Sequence, residues 1–554
     1  MAVCGALFRL ANQPGADLDQ IDTALPRTLV SALTFHAAHA STVKAVFSLL
    51  VEMWKGSDFD SACKVAGVFP RIIDALQTHL SHEGVVAAAC SYLSDHFVED
   101  VDGVDRNALA FAGDGGLEPI LAALAAYSSN RDVVREVCIV LDQICYASPE
   151  SRPRIVTALP DIVRAATLHF LASSETAVYV CQVLLFVCTP ANEIVFLEAG
   201  AIAFACKALG AYPRFPRIVD AVCKILRKCG SGASNAEVSR SGGVLPLFVA
   251  LWTSDNGSTV ASAARALKRQ YDLDPTYEST LVRAIPRMAS ILAKHVDNPA
   301  VVDSLCGLLD ALSSEKIAAA TAVVVSGTIT TLAAALSTHA TTPKPCSTVL
   351  SLLWNLFDHC AASPAVRESV PTLVPCVTAA LELHVTHANL AGVACRVLEF
   401  IACLGAQQQA LVAGSGALRL ARRVLAAHAQ DDWTLTQACR LMWVVGDDDS
   451  NDGEHVGTGR AIVAALNQHA EVSDFVEAAS LALRMLCGRV SNIPELLTEG
   501  AAKALRSAAE HHVDTPRTAC AVRASLAALS KGVCVAESCM RLATVQCVRC
   551  LAVG

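Results

Sequence analysis

Apolar positions along this chain recur at helical spacing and are interrupted at regular intervals, and the segment from Ala461 to Gly500 shows the pattern most plainly. It reads as one helix, a break after His469, a longer helix through Leu486 and a short helix before Gly500, each with apolar residues three and four apart. Equivalent starts fall at Thr23, Gly67, Gly116, Thr157, Gly200, Gly243, Arg283, Gly327, Glu368, Gly416, Arg460 and Gly500, so twelve units follow one another at spacings of 40 to 49 residues. Glycine at many of these starts suits a helix end that must pass through the left-handed region. Proline lies three residues further on at Pro26, Pro70, Pro119, Pro160, Pro246, Pro286 and Pro371. It is tolerated in the first turn of a helix and opposes fusion with the helix before it, so a turn is expected at every unit. A unit of this kind has one apolar face too many to bury alone and stacks on its neighbours. The expected fold is therefore all-α, a right-handed α-solenoid superhelix of about twelve repeats.

Composition fits close helix packing. Hydrophobic residues make up 53% of the 554 positions but aromatics only 5%, leaving Ala, Leu and Val to carry the apolar mass. The formal charge of -9 offers no general attraction to phosphate backbones or anionic lipid, so nucleic acid is not an expected partner. The 23 cysteines sit mostly inside apolar helical patterns, as in Val137-Cys138-Ile139-Val140, where a thiol packs as a small hydrophobe. That usage points to a reducing compartment, the cytoplasm or else the nucleus. Met1 to Phe8 is short and has no charged leader, unlike a secretory signal. The uncharged stretch Ile317 to Thr342 has the length of a membrane span but is broken by Ser326, Gly327 and several threonines, and Gly327 falls on the repeat register.

Gly243-Val244-Leu245-Pro246-Leu247-Phe248-Val249, and the run Val349 to Leu356, resemble the opening G-x-I-P-x-L-V and closing A-L-x-x-L-x-N-L segments of the armadillo repeat family. HEAT repeats are the structural alternative at this period. The resemblance implies a protein-binding scaffold whose closing helices line a concave surface. Val3 to Ala11 reads as the closing helix of a partial repeat, which gives a domain reading of residues 1–22 as that fragment, 23–532 as the solenoid and 533–554 as a separate tail. In the tail, Cys534, Cys539, Cys547 and Cys550 have spacing similar to the first half of a MYND-type zinc finger, which implies zinc as a cofactor at an incomplete site. A last amphipathic helix with Val535, Cys539, Leu542, Ala543, Cys547 and Leu551 on one stripe is the competing reading.

Candidate chemistry is sparse. His36, His79, His295, His339, His384, His428, His469 and His511 recur near the end of the helix that follows each unit start. A repeat spaces them one unit apart, so the expectation is helix-end stabilisation and not a metal cluster. The acidic run from Gly446 to Glu454 lacks the final glutamate of a calcium loop, having Gly459 in its place, and reads as a solvated insertion. Gly414-Ser415-Gly416 is followed by Arg419 where a dinucleotide loop needs a third glycine. The chain carries no phosphate-binding, metalloprotease or nucleophile-elbow motif, and no enzyme is expected within it. In the importin-like members of the family a ladder of Trp and Asn binds basic signals; here the aligned Asn column runs Gln143, Phe186, Lys228, Arg269, Ala311, Asn355, Phe400, Val444 and Met485, so only Asn355 fits. The same columns place Lys224, Arg227 and Lys228 in one unit beside Arg265, Lys268 and Arg269 in the next, a basic patch against an acidic average. An acidic partner segment fits that patch; a solvated face with local ion pairs is the plainer account. The functional expectation is a protein-binding scaffold, the alternative being the regulatory arm of a larger kinase-like or GTPase-like enzyme.

Overall fold

In the computed structural model, which describes residues 24–53, 67–97, 105–229, 231–445, 456–488 and 492–536, the regular elements among the described residues are helices, and the fold is an all-α solenoid. The partial repeat at Val3–Ala11 and the acidic run at 446–454 lie outside the described residues. The chain divides after Asp274 into two compact units. The closing helix of each repeat is labelled here in chain order: in the first unit α1 (Ala40–Met53), α2 (Glu83–His96), α3 (Arg131–Ala147), α4 (Ser174–Val187), α5 (Pro216–Lys228) and α6 (Gly257–Leu273). In the second they are α7 (Pro299–Ser313), α8 (Pro343–Cys360), α9 (Ala388–Cys403), α10 (Asp432–Val445), α11 (Ser473–Leu486) and α12 (Pro516–Ala536). Within each unit every closing helix packs on the next, forming one continuous layer, with the remaining helices stacked behind it.

Local chemistry starts these helices where they start. Asn130, Asn256 and Asn298 sit in extended backbone just before α3, α6 and α7, and each side-chain oxygen accepts from two backbone N–H groups of the first turn. Ser173 Oγ accepts from one, the Thr176 N–H, at the start of α4. Each closing helix must bury more than one side because it touches a neighbour before, a neighbour after and the helices behind. In α4, Ala177, Val178, Val180, Cys181, Val183, Leu184 and Val187 are all buried, which uses small residues to keep the stack close.

Glycine makes most of the corners, although the chain also bends by 76° at Ala158, ahead of Pro160 and with no glycine. Gly200, Gly327, Gly416 and Gly500 have φ between 70° and 87° and each separates two helices, and Gly67, with φ 77°, stands directly before the helix Val68–Thr78. At Gly327 the apolar stretch is split into Ile317–Val325 and Thr328–Thr338, bent by 77°. Among the described residues no single helix is long and apolar enough to cross a membrane. Where the unit begins with Arg283 or Glu368, the helix runs straight through: Pro286 lies inside Glu278–Lys294, and Pro371 and Pro375 lie inside Pro364–Leu383. The expectation of a turn at every unit is corrected there. A proline removes one hydrogen bond and can be absorbed when its ring faces solvent, as all three do.

The histidine column has a different role from the one its position in sequence suggests. His79 Nε2 donates to Ala37 O at 2.5 Å, and His169 Nε2 to Ser128 O at 2.9 Å, in each case one repeat back. Tyr127 and Tyr212 occupy the same column and donate through Oη to Leu80 O (2.8 Å) and Phe170 O (2.7 Å). In the second unit His339, His384, His428, His469 and His512 donate to the carbonyls of Val296, Ala340, Val385, Ala429 and Ala470 at 2.6–2.9 Å. A single rule covers all nine: the acceptor is the residue that follows the previous column member. Each of these nine rungs ties its repeat to the one before within the same unit, where the sequence suggested stabilisation of a helix by its own terminal histidine. The last rung belongs to His512 and not His511, because the helix Ala501–His511 ends one residue before its capping position. Each rung contributes about 1 kcal/mol at typical values for a neutral hydrogen bond.

Candidate functional site

The open face of the closing-helix layer carries the residues the sequence aligned. Gln143, Phe186, Arg269, Ala311, Asn355, Phe400, Val444 and Met485 are all half-buried, as are Ile139, Gln182, Lys224, Arg265, Ser351 and Arg396 of the neighbouring column. Positions four apart on one helix share a face, so both columns look outward together. Lys228 and Arg227, at the last turn of α5, are exposed.

The basic patch lies wholly within the first unit, on α5 and α6, which pack side by side. Its six cations are not equivalent. Lys224 Nζ pairs with Asp220 at 2.6 Å, and Asp220 also accepts from Ser262 Oγ of α6 at 2.5 Å. Lys268 Nζ pairs with Asp272 at 2.9 Å. Lys228 Nζ donates to Leu185 O at 3.0 Å, covering an orphan carbonyl at the end of α4. Arg227, Arg265 and Arg269 have no acidic partner within ion-pair distance among the described residues. Arg227 and Arg265 approach from adjacent helices: burial and then Asp220 push the Cys223 thiol up, and both guanidiniums oppose that shift. The plainer account of local ion pairs therefore holds for two of the six and leaves three guanidiniums, each with a planar set of donors matched to a carboxylate.

An aromatic shelf next to this patch was missed by the sequence reading. Tyr146 of α3, 41% exposed, meets Phe186 of α4 edge to face at 5.8 Å. The Arg152 guanidinium lies over Phe186 at 5.5 Å while its Nε donates to Cys145 O at 2.9 Å. The signal available was Phe186 standing between Gln143 and Lys228 in the aligned column, with Tyr146 three residues after Gln143. Asn355 of α8, in the second unit, donates through Nδ2 to Asp310 Oδ1 of α7 at 2.7 Å, so one of its two amide N–H groups is spent across the layer. Of the tail cysteines only Cys534 has described backbone, inside the last turn of α12; Cys539, Cys547 and Cys550 lie outside the described residues. Among the described residues no group of three or more His, Cys, Asp or Glu side chains is arranged to hold a metal ion.

These features define an armadillo-type solenoid with an open side-chain face. Among solved structures the chain is similar to one from work on a phosphorylation switch that controls the interaction between cadherin and β-catenin, an armadillo repeat protein. The TM-score is 0.70 at 16% identity, over 91% of this chain and 99% of that one, a likeness of fold alone. An engineered protein aligns with 45% of the chain at 19% identity and a TM-score of 0.36. No protein-family model matches the sequence, and no curated protein matches it significantly.

Proposed function

We propose that this protein is a non-catalytic interaction scaffold, and that the α5–α6 face binds an extended acidic segment of a partner protein. The observation that carries this is the trio Arg227, Arg265 and Arg269, half-buried or exposed and without acidic partners among the described residues, on a chain whose net charge is -9. Keeping three guanidiniums together opposes their mutual repulsion, and a ligand carboxylate relieves it. Lys224 and Lys268 are already neutralised by Asp220 and Asp272, so they frame the face more than they bind. A protein-binding role also agrees with the fold likeness to β-catenin, a protein described in its interaction with cadherin.

The test is fluorescence polarisation with a labelled glutamate-rich peptide and the full chain. Reversing Arg227, Arg265 and Arg269 to Glu should weaken binding by more than about tenfold, and raising salt should weaken the unmodified protein in the same direction. Lys224→Ala should change affinity far less. Equal affinities for the unmodified and triple-reversal proteins would end the proposal.

A further inference from the structure

Cys188 and Cys229 close the consecutive helices α4 and α5. Each is the first residue to leave the helix, with nearly matching backbone (φ -72°, ψ 116° and φ -84°, ψ 97°), and each backbone N–H still bonds the helix, to Leu184 O and Ile225 O at 2.9 Å. Equivalent positions in stacked repeats send their side chains the same way. The two sulfurs lie 3.3 Å apart, although 41 residues separate them in sequence. A disulfide bond of about 2.05 Å needs them to close by only about 1.3 Å, within reach of small side-chain rotations.

Packing alone does not call for this pair. The same capping position is held by Phe97 after α2 and Ser148 after α3, so the repeat accepts quite different side chains there. Among the described cysteines, this is the pair whose sulfurs touch.

The surroundings distinguish Cys188 from the inert buried thiols. Burial pushes Cys90, Cys138, Cys181 and Cys439 up to about 12. At Cys188 the Cys229 S–H donates to the sulfur and holds the thiol below its ordinary range; burial opposes, the charge of Lys228 helps and Glu193 opposes. Cys188 and Cys229 are buried, while the two residues that follow Cys188, Thr189 and Pro190, are exposed, so the pair lies next to the surface in sequence and an oxidant reaches it through local opening.

We propose that Cys188 and Cys229 form a redox-active dithiol that hydrogen peroxide converts to a disulfide linking two adjacent repeats. The Cys188 thiolate attacks one peroxide oxygen and breaks the O–O bond; the departing hydroxide takes a proton and leaves as water, with Cys188 as the sulfenic acid. The Cys229 sulfur then attacks Cys188 Sγ and expels that oxygen, which leaves as a second water carrying the Cys229 proton. Two thiols and one peroxide give one disulfide and two waters. Such a bond fits a reducing compartment as a transient, sensing one and not as a structural staple. It also fixes the ends of α4 and α5 beside Lys228, although nothing in this proposal depends on the acidic-segment reading.

The full chain is treated with limiting hydrogen peroxide, quenched with N-ethylmaleimide in denaturant and digested without reduction for mass spectrometry. The expected product is a cross-linked peptide containing Cys188 and Cys229, two hydrogens lighter than the free pair, reversed by dithiothreitol and formed at least about tenfold faster than oxidation of any other described cysteine. In Cys229→Ser, which keeps a hydroxyl donor beside Cys188 but cannot form the disulfide, with folding checked by circular dichroism, Cys188 should stop at the sulfenic acid and be trapped by dimedone. Cys188 and Cys229 both alkylated while other cysteines have oxidised, or Cys188 found joined to a different cysteine, would overturn the proposal. So would a folded Cys229→Ser protein whose Cys188 gives no dimedone adduct. The wild-type cross-link is read on the unmodified chain and does not depend on that variant.

Discussion

Replacing His384 by Phe tests whether the rungs between repeats hold the solenoid together. His384 caps the long helix Pro364–Leu383, is 5% exposed, and donates from Nε2 to Ala340 O at 2.7 Å; its ring also meets that of His387, which caps α9, at 5.5 Å. Phe keeps an aromatic ring of similar size and removes the donor. The lost bond costs about 1 kcal/mol, and stranding a fully dry carbonyl would add up to about 3 kcal/mol. Ala340 is only half-buried, so water can take over part of that acceptor, and the expected total is about 1–2 kcal/mol. In a stacked array the loss should stay local, because each repeat depends on its neighbours and not on the whole chain. Hydrogen exchange read by mass spectrometry should therefore show faster exchange in Thr328–Thr338 and Pro364–Leu383, with little change near α11. His384→Gln, which retains a donor, should recover part of the protection. Exchange in those two helices that matches the unmodified protein to within about 0.3 kcal/mol would show that the rungs do not stabilise the stack.

Pro286 is exposed inside the unbroken helix Glu278–Lys294, so Pro286→Ala should restore a backbone hydrogen bond and stabilise the protein by about 1–3 kcal/mol; a lower urea midpoint would show that the proline is needed for the local path. Gly392 of α9 faces the Trp433 ring of α10 so closely that an added Cβ would collide with it, and Trp433 in turn meets Trp354 of α8 at 6.4 Å. Gly392→Ala is expected to cost about 1–3 kcal/mol through overpacking and to shift tryptophan fluorescence, and Trp433→Leu should relieve the cost. Unchanged melting in Gly392→Ala would mean that α9 and α10 separate readily enough to admit the added methyl group.

The sequence by itself pointed to the helical class and to a repeat, because stacking forces apolar faces and chain breaks to recur at a similar interval, here 40 to 49 residues. It placed Lys224, Arg265, Arg269 and Asn355 on the open face for the same reason: residues four apart on a helix share a side. The sequence also marked the histidine column but not its use, since a hydrogen bond to the preceding repeat joins residues 40 to 47 positions apart, and tyrosine serves at two of its positions as well as histidine. Proline was overread at Pro286 and Pro371, which lie exposed inside unbroken helices. Only the tertiary structure decided which cations of the basic patch are already spent on Asp220, Asp272 and Leu185, and that Cys188 meets Cys229. Charge pairing and sulfur contact depend on distances of a few ångströms between neighbouring repeats, and a sequence period fixes the order of those repeats without fixing that separation.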